Sequence, residues 1–164
     1  MIALISDTHE NEVATRKAIE VIKQRNPDFT IHLGDIISPP MLDLFEGMKL
    51  KVLLGNNDGE VNGLRKKCEH HGFEGPFEEL AIHHQGKKLY CYHGTNKEVL
   101  SNNIYYGEFD YVIYGHTHVM DDHKERGTRV INPGALFRAQ RYTIAFLDVE
   151  KNQLEFVDIK KEGD

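Results

Sequence analysis

The sequence predicts an α/β fold in which two mixed β-sheets pack together with helices on the outside. Three features predict it. Short apolar runs rich in Ile, Val, Leu and Tyr recur along the chain and break off at Gly or a polar residue, as buried strands do. In the first half these runs alternate with segments of helical spacing, which makes βαβ units with parallel strands. From residue 118 onward helical spacing disappears, and strand follows strand through hairpin-like turns.

Each element follows from its own pattern. Met1–Ile5 is the first strand. Residues 12–25 place Ala14, Ala18, Ile19, Val21 and Ile22 at helical spacing, and Asn26-Pro27 ends the helix. Phe29–Leu33 is the second strand, parallel to the first, and Met41–Phe45 a short helix before the third strand, Leu50–Leu54. A helix over about 60–71 stops at Gly72, and residues 73–79 read as loop. Leu80–His84 and Lys88–Tyr92 flank Gln85-Gly86 as a β-hairpin. A helix around 96–103 precedes the strand Tyr111–Tyr114. Strands over 118–125, 128–131, 142–149 and 153–159 complete the chain, the last two joined at Lys151-Asn152.

Bulk properties set the class. At 164 residues without repeats, linkers or low-complexity segments, residues 1–164 form one domain. A chain of this length buries on the order of two-thirds of its unfolded surface, enough for a core without staples. The opening apolar run is too short for a signal-peptide core, and no stretch approaches a membrane span, so the reading is a cytoplasmic protein without a membrane partner. Cys68 and Cys91 are read as free thiols in a reduced compartment. The net charge of −6 works against a stable nucleic-acid complex, which needs a basic surface. A homo-oligomer stays open.

Where the strands stop, metal-binding side chains begin. The first strand runs through Ser6 into Asp7-Thr8-His9, the second into Gly34-Asp35 and the third into Gly55-Asn56. Leu89–Tyr92 leads into His93-Gly94, and Tyr111–Tyr114 into Gly115-His116-Thr117-His118. Ligands of open α/β sheets bind at the carboxyl ends of the strands, so the expectation is that these residues meet at one edge of one sheet. Asp7, His9, Asp35, Asn56, His93, His116 and His118 are too many ligands for a single first-row ion that keeps a position open. Two ions about 3.5–4 Å apart, sharing the Asp35 carboxylate, use all of them. With no thiolate and a high share of imidazole, the set suits Mn, Fe, Co, Ni or Zn over Mg or Ca. Two such ions, two carboxylates and a bridging hydroxide leave a charge of about +1, suited to a phosphate ester that the hydroxide attacks at phosphorus. The remaining histidines, His32, His70, His71, His83, His84 and His123, read as structural. His32 alternates with Ile31 and Leu33 and is placed as a polar residue on the other face of its strand. Gly34, Gly55, Gly94 and Gly115 read as sharp-turn residues, and Arg138 and Arg141 as solvated arginines.

These five blocks, in this order, resemble the signature of the calcineurin-like metallophosphoesterases. The short length, the missing cap domain and Ile131-Asn132-Pro133-Gly134 resemble its small archaeal and bacterial phosphodiesterase branch, and the similarity spans essentially the whole chain. The resemblance implies a four-layer α-β-β-α sandwich. It also implies that Asp7, His9, Asp35 and His118 hold one metal, and Asp35, Asn56, His93 and His116 the other. The expected activity is hydrolysis of small phosphodiesters, with Mn and Ni among the fitting metals. One block departs from the family. Its third commonly reads Gly-Asn-His-Asp or Glu, the His protonating the leaving oxygen; here it is Gly55-Asn56-Asn57-Asp58. Asn57 has no titratable proton, so it is expected to hydrogen-bond a phosphate oxygen, with Asp58 or a metal-bound water as the proton source. The fourth block often continues His-Gly-His, and this chain has Thr95 instead. Two alternatives stand beside the phosphodiesterase. One is a phosphomonoesterase acting on small molecules or phosphoproteins. The other is a non-catalytic scaffold like the eukaryotic retromer subunit that shares the resemblance.

Overall fold

A computed structural model describes every residue, Met1–Asp164. Its strands are β1 (Ile2–Ile5), β2 (Thr30–His32), β3 (Leu50–Leu53), β4 (Glu74–Phe77), β5 (Glu79–His84), β6 (Lys87–Tyr92), β7 (Tyr111–Ile113), β8 (Asp121–Glu125), β9 (Thr128–Asn132), β10 (Thr143–Asp148) and β11 (Gln153–Asp158). Its helices are α1 (Glu12–Arg25), α2 (Val61–His71) and α3 (Lys97–Tyr106), with a 3-10 helix over Pro39–Phe45. The strands form a six-stranded sheet, β11-β10-β1-β2-β3-β4, and a five-stranded one, β5-β6-β7-β9-β8. Both are mixed: β1, β2, β3 and β4 run parallel, as do β6, β7 and β9, and antiparallel strands occupy the remaining positions.

The period-two alternation of β1 shows how the layers are built. Ala3 and Ile5 join the core beneath α1, α2 and the 3-10 helix, whereas Ile2 and Leu4 join the core between the sheets. Ala14, Ala18, Ile19 and Ile22 of α1 and Leu64 and Cys68 of α2 close the first core. Ile104 of α3 packs with Tyr90, Val112 and Val130 on the outer face of the second sheet. Three apolar interlayers make the four-layer α-β-β-α sandwich. Each fully buried Ile or Leu in them contributes roughly 1.5–3 kcal/mol relative to exposure. The helix ends follow local rules. Asn11 caps α1 by accepting from the Ala14 N–H at 3.2 Å, and Asn26 ends it in a left-handed conformation. Cys68 and Cys91 are buried and unpaired with one another. No helix is long and apolar enough to cross a membrane.

Two expectations need correction. Residues 74–77 are a strand, not loop: Glu-Gly-Pro-Phe carries turn residues, but an edge strand needs only one row of hydrogen bonds and tolerates Pro. The candidate ligands also do not all leave one sheet. Asp7, Asp35 and Asn56 follow β1, β2 and β3 of the six-stranded sheet, whereas His93, His116 and His118 follow β6 and β7 of the five-stranded one. The parallel strands of both sheets end on the same side, and the loops meet across the sandwich.

Candidate metal centre

Five of the seven candidate ligands leave their strands in a left-handed backbone conformation: Asp7 (φ 49°), His9 (47°), Asp35 (58°), His116 (68°) and His118 (62°). Such conformations cost non-glycine residues on the order of 1–2 kcal/mol each and persist only where surrounding contacts impose them. The contacts are visible. Asp7 N–H donates to the Gly34 carbonyl at 3.0 Å and His9 N–H to the Asp35 carbonyl at 2.9 Å. Asp58, almost fully buried, accepts four backbone N–H groups: Asp35 (2.8 Å) and Gly55 (2.8 Å) on one oxygen, Ile36 (2.8 Å) and Ile37 (2.7 Å) on the other. Asn132 donates to the Gly115 carbonyl at 2.9 Å and the Thr117 hydroxyl at 3.0 Å, tying down the loop that carries His116 and His118. The loops pack closely: a Cβ on Gly115 would lie 2.1 Å from Ser6 Oγ and 2.8 Å from Asp7 Oδ2, so close approach, not turn geometry, requires that glycine.

The side chains converge. Ligand atoms of Asp7, His9 and His118 lie within 4.8 Å of one another, and so do those of Asp7, Asp35 and His93. Asp35 Oδ2 stands between the two groups, 3.6 Å from His9 Nε2 and 3.5 Å from His93 Nε2. On the far side, Asn56 Oδ1 is 3.1 Å from His93 Nε2 and 3.0 Å from His116 Nδ1. His93 Nδ1 donates to the Leu33 carbonyl at 2.8 Å, which in the neutral ring turns the lone pair of Nε2 toward the site. His118 Nε2 lies 3.2 Å from Asp7 Oδ1. Phe137, which sequence reasoning did not single out, stacks on His9 with ring centroids 4.2 Å apart.

The electrostatics are those of an anionic cluster wrapped in imidazoles. Burial pushes Asp7 and Asp35 up, but the neighbours outweigh it. His118, His93 and the Ser6 hydroxyl hold Asp7 below the usual carboxylate range, and His93 with the Asn57 N–H does the same for Asp35. Burial lowers His9. Burial opposes protonation of His93, yet Asp35 and Asp7 raise it, and Asp7 raises His118. Protons and a cation would compete for these ring nitrogens, so metal binding here would be coupled to proton release. Three buried side-chain atoms lack a well-formed hydrogen bond; two of them, Asp7 Oδ1 (beside His118 Nε2 at 3.2 Å) and His9 Nε2, lie in this cluster, and the third, His84 Nε2, lies outside it. Buried polar atoms are rarely left so. The two in the cluster point where the imidazole and carboxylate ligands meet, and a divalent cation satisfies them together; the donor set fits the expected ions.

Three expected roles change or sharpen. The Asn57 side chain donates to Asp35 Oδ2 at 2.8 Å and its backbone N–H to Asp35 Oδ1 at 2.9 Å, so it braces that carboxylate. Asp58, expected alongside a metal-bound water as an alternative proton source, has both oxygens engaged by backbone donors and holds the loops together. Arg141 pairs with Asp158 at 2.6 Å, whereas the Arg138 guanidinium lies over the Phe137 ring, 5.1 Å from its centroid. Among the other histidines, His71 pairs with Asp43 at 2.6 Å and His123 with Asp121 at 2.8 Å, both remote from the cluster. His32 is the exception: it is fully buried, and burial lowers it to about 4. A cavity of about 570 Å³ beside Lys87, Asp122 and Arg129 lies at the opposite ends of the strands and lacks such a ligand cluster.

Comparison with known proteins agrees with this geometry. The family model of the calcineurin-like phosphoesterase superfamily domain matches residues 1–152. A phosphodiesterase of Methanocaldococcus jannaschii is 33% identical over 157 residues, which cover 93% of this chain and 95% of that protein. The solved structure of an archaeal phosphodiesterase superposes with a TM-score of 0.89 at 31% identity, covering 96% of this chain and 98% of its own. Vps29 of Chaetomium thermophilum is similar in fold alone, with a TM-score of 0.71 at 15% identity over 98% of each chain.

Proposed function

The chain belongs to the calcineurin-like phosphoesterase superfamily, and on that premise we propose a dinuclear-metal phosphodiesterase that hydrolyses small phosphodiesters. The observation that carries this reading is the pair of partnerless buried atoms, Asp7 Oδ1 and His9 Nε2, among the converging ligand atoms of Asp7, His9, Asp35, His93 and His118. In it, Asp7, His9, Asp35 and His118 would hold one ion and Asp35, Asn56, His93 and His116 would hold the other. The position of Asp35 Oδ2 between His9 and His93 supports that division. Two divalent ions of the Mn, Fe, Co, Ni or Zn group supply a polarised phosphoryl oxygen and a water nucleophile that needs no protein base. The chain's own residues position and orient. His93 is fixed in its ligating tautomer by Leu33, Asp35 is braced by Asn57, and the loops are locked by Asp58. No side chain within the third block donates a proton to the leaving oxygen, so good leaving groups react best. Free, buried Cys68 and Cys91 suit a reduced, cytoplasmic setting.

The test is metal content together with a substrate panel. Protein dialysed against excess Mn²⁺ should retain two ions per chain and cleave bis(p-nitrophenyl) phosphate faster than p-nitrophenyl phosphate. Asp35→Ala should lose nearly all activity and metal, which also controls for contaminating phosphatase. One ion or none per chain refutes the dinuclear centre. Faster monoester cleavage makes the protein a phosphomonoesterase, and no ester cleavage with both ions bound makes it a scaffold.

A further inference from the structure

His32, at the end of the central strand β2, lies outside the ligand set, yet it touches both loops that carry the acidic ligands. It pairs in register with Ile5 and Val52, whose side chains face the helical layer, and its ring sits in that core against Phe45, with centroids 5.9 Å apart. Its Nδ1 accepts the backbone N–H of Gly34 at 3.1 Å. A nitrogen that accepts carries no proton, so the neutral ring must have its proton on Nε2. Nε2–H therefore donates to Thr8 Oγ1, 3.0 Å away. Thr8 stands between Asp7 and His9, and Gly34 immediately precedes Asp35.

The backbone hydrogen bonds between these loops set their spacing, Ser6 and the His116 N–H hold Asp7 Oδ2, and Asn57 holds Asp35; His32 adds a hold on the two loops from the core side. Asp7 and His9 both adopt left-handed backbone around the buried Thr8. Anchoring the Thr8 side chain inward turns its two neighbours outward, to the face where the ligands converge. At Gly34 the carbonyl accepts from Asp7 N–H and the N–H donates to His32, so the peptide ahead of Asp35 is held on both sides. An aliphatic residue of similar volume would fill the space and make neither bond.

Resting on the metal-centre reading above, we infer that His32 is a positioning residue for that centre: a neutral imidazole of fixed tautomer that sets the orientation of Asp7 and His9 through Thr8 and of Asp35 through Gly34. It touches no substrate and no ion. Partners one step behind metal ligands typically contribute 10–100-fold to metal affinity or activity.

Three variants of the full chain test this by titration with Mn²⁺ alone, followed calorimetrically, with circular dichroism to establish folding. His32→Ala removes both bonds. In His32→Asn the amide oxygen stands near the position of Nδ1 and keeps the Gly34 bond. In His32→Gln the amide N–H stands near Nε2 and keeps the Thr8 bond. The expected result is a loss of about 10–100-fold in Mn²⁺ affinity for the alanine variant, with partial recovery in each amide variant. With saturating Mn²⁺, kcat should fall while KM for bis(p-nitrophenyl) phosphate stays near the wild-type value. A role confined to packing would lower thermal stability and leave the affinity of the folded protein unchanged. Wild-type affinity in folded His32→Ala overturns the inference; should that variant not fold, wild-type affinity in both amide variants overturns it. Wild-type protein that takes up no Mn²⁺ instead overturns the metal-centre reading beneath it.

Discussion

The two ends of the sandwich use the same unusual backbone conformation for opposite reasons. At the end away from the ligands, left-handed non-glycine residues occur at Asn26, Gln85, Glu108, Arg126 and Asn152. These belong to turns and caps. Asn26 ends α1, and Gln85-Gly86 and Arg126-Gly127 have consecutive positive φ angles, the geometry of tight hairpins. The local sequence explains them: each is an Asn or stands beside a Gly. At the ligand end, Asp7, His9, Asp35, Ile37, His116 and His118 are left-handed, including a β-branched residue at φ 74°. Asp35 and His116 also follow a Gly, and Asp and His tolerate this conformation better than most side chains, but Asp7, His9, Ile37 and His118 have no glycine neighbour and Ile37 is β-branched. Ile37 is held by the Asp58 carboxylate, and Asp7 and His9 by the loop after β2. At one end residues choose the backbone; at the other, distant contacts hold it for ligand placement.

The largest expected effect tests that contrast at Asp58. Asp58→Asn sets an amide N–H₂ against backbone donors, leaving buried N–H groups without an acceptor. Unfolding by denaturant should show a loss of about 3 kcal/mol. Mn²⁺ affinity and diester turnover should collapse with it, because Asp35 and Ile37 lose what imposes their conformation. Unchanged stability with slowed cleavage of poor leaving groups alone would restore Asp58 as a proton donor and break the comparison.

Asn57→His gives a smaller effect at the same end. It supplies the missing acid and removes the amide brace on Asp35. Turnover of alkyl diesters should rise roughly 10–100-fold, below the 10²–10⁴ of a well-placed general acid, and the dependence of rate on leaving-group pKa should flatten. Equal slopes for the two proteins in a linear free-energy plot would show that another group already provides the proton.

The smallest effect belongs to the far end. Gln85→Asn places a residue tolerant of left-handed backbone at a position whose partner is already Gly86. It should stabilise the protein by a few tenths to about 1 kcal/mol, with kcat and metal content unchanged. Destabilisation, as measured by thermal unfolding, would mean that the turn is held by tertiary contacts as the ligand loops are.

What the sequence determined by itself is local. The bounds of α1, its end at Asn26 and the hairpin at Gln85-Gly86 follow from short-range periodicity and turn chemistry, which act within a few residues. The candidacy of Asp7, His9, Asp35, Asn56, His93, His116 and His118 was legible too, because ligand types placed just after apolar strands form an ordered pattern. Only the tertiary structure decided the rest. Glu74–Phe77 becomes a strand because β3 offers it an open edge. The ligand loops come from two sheets because the sandwich aligns their strand ends. Asp58 reads as one more acid in a motif until four backbone donors from two loops surround it. His32 reads as a polar strand residue until helical packing buries it and leaves Thr8 and Gly34 as its partners. Whether a titratable side chain binds an ion, carries a proton or braces a loop depends on which of its lone pairs its neighbours leave unused, and those neighbours are distant in sequence.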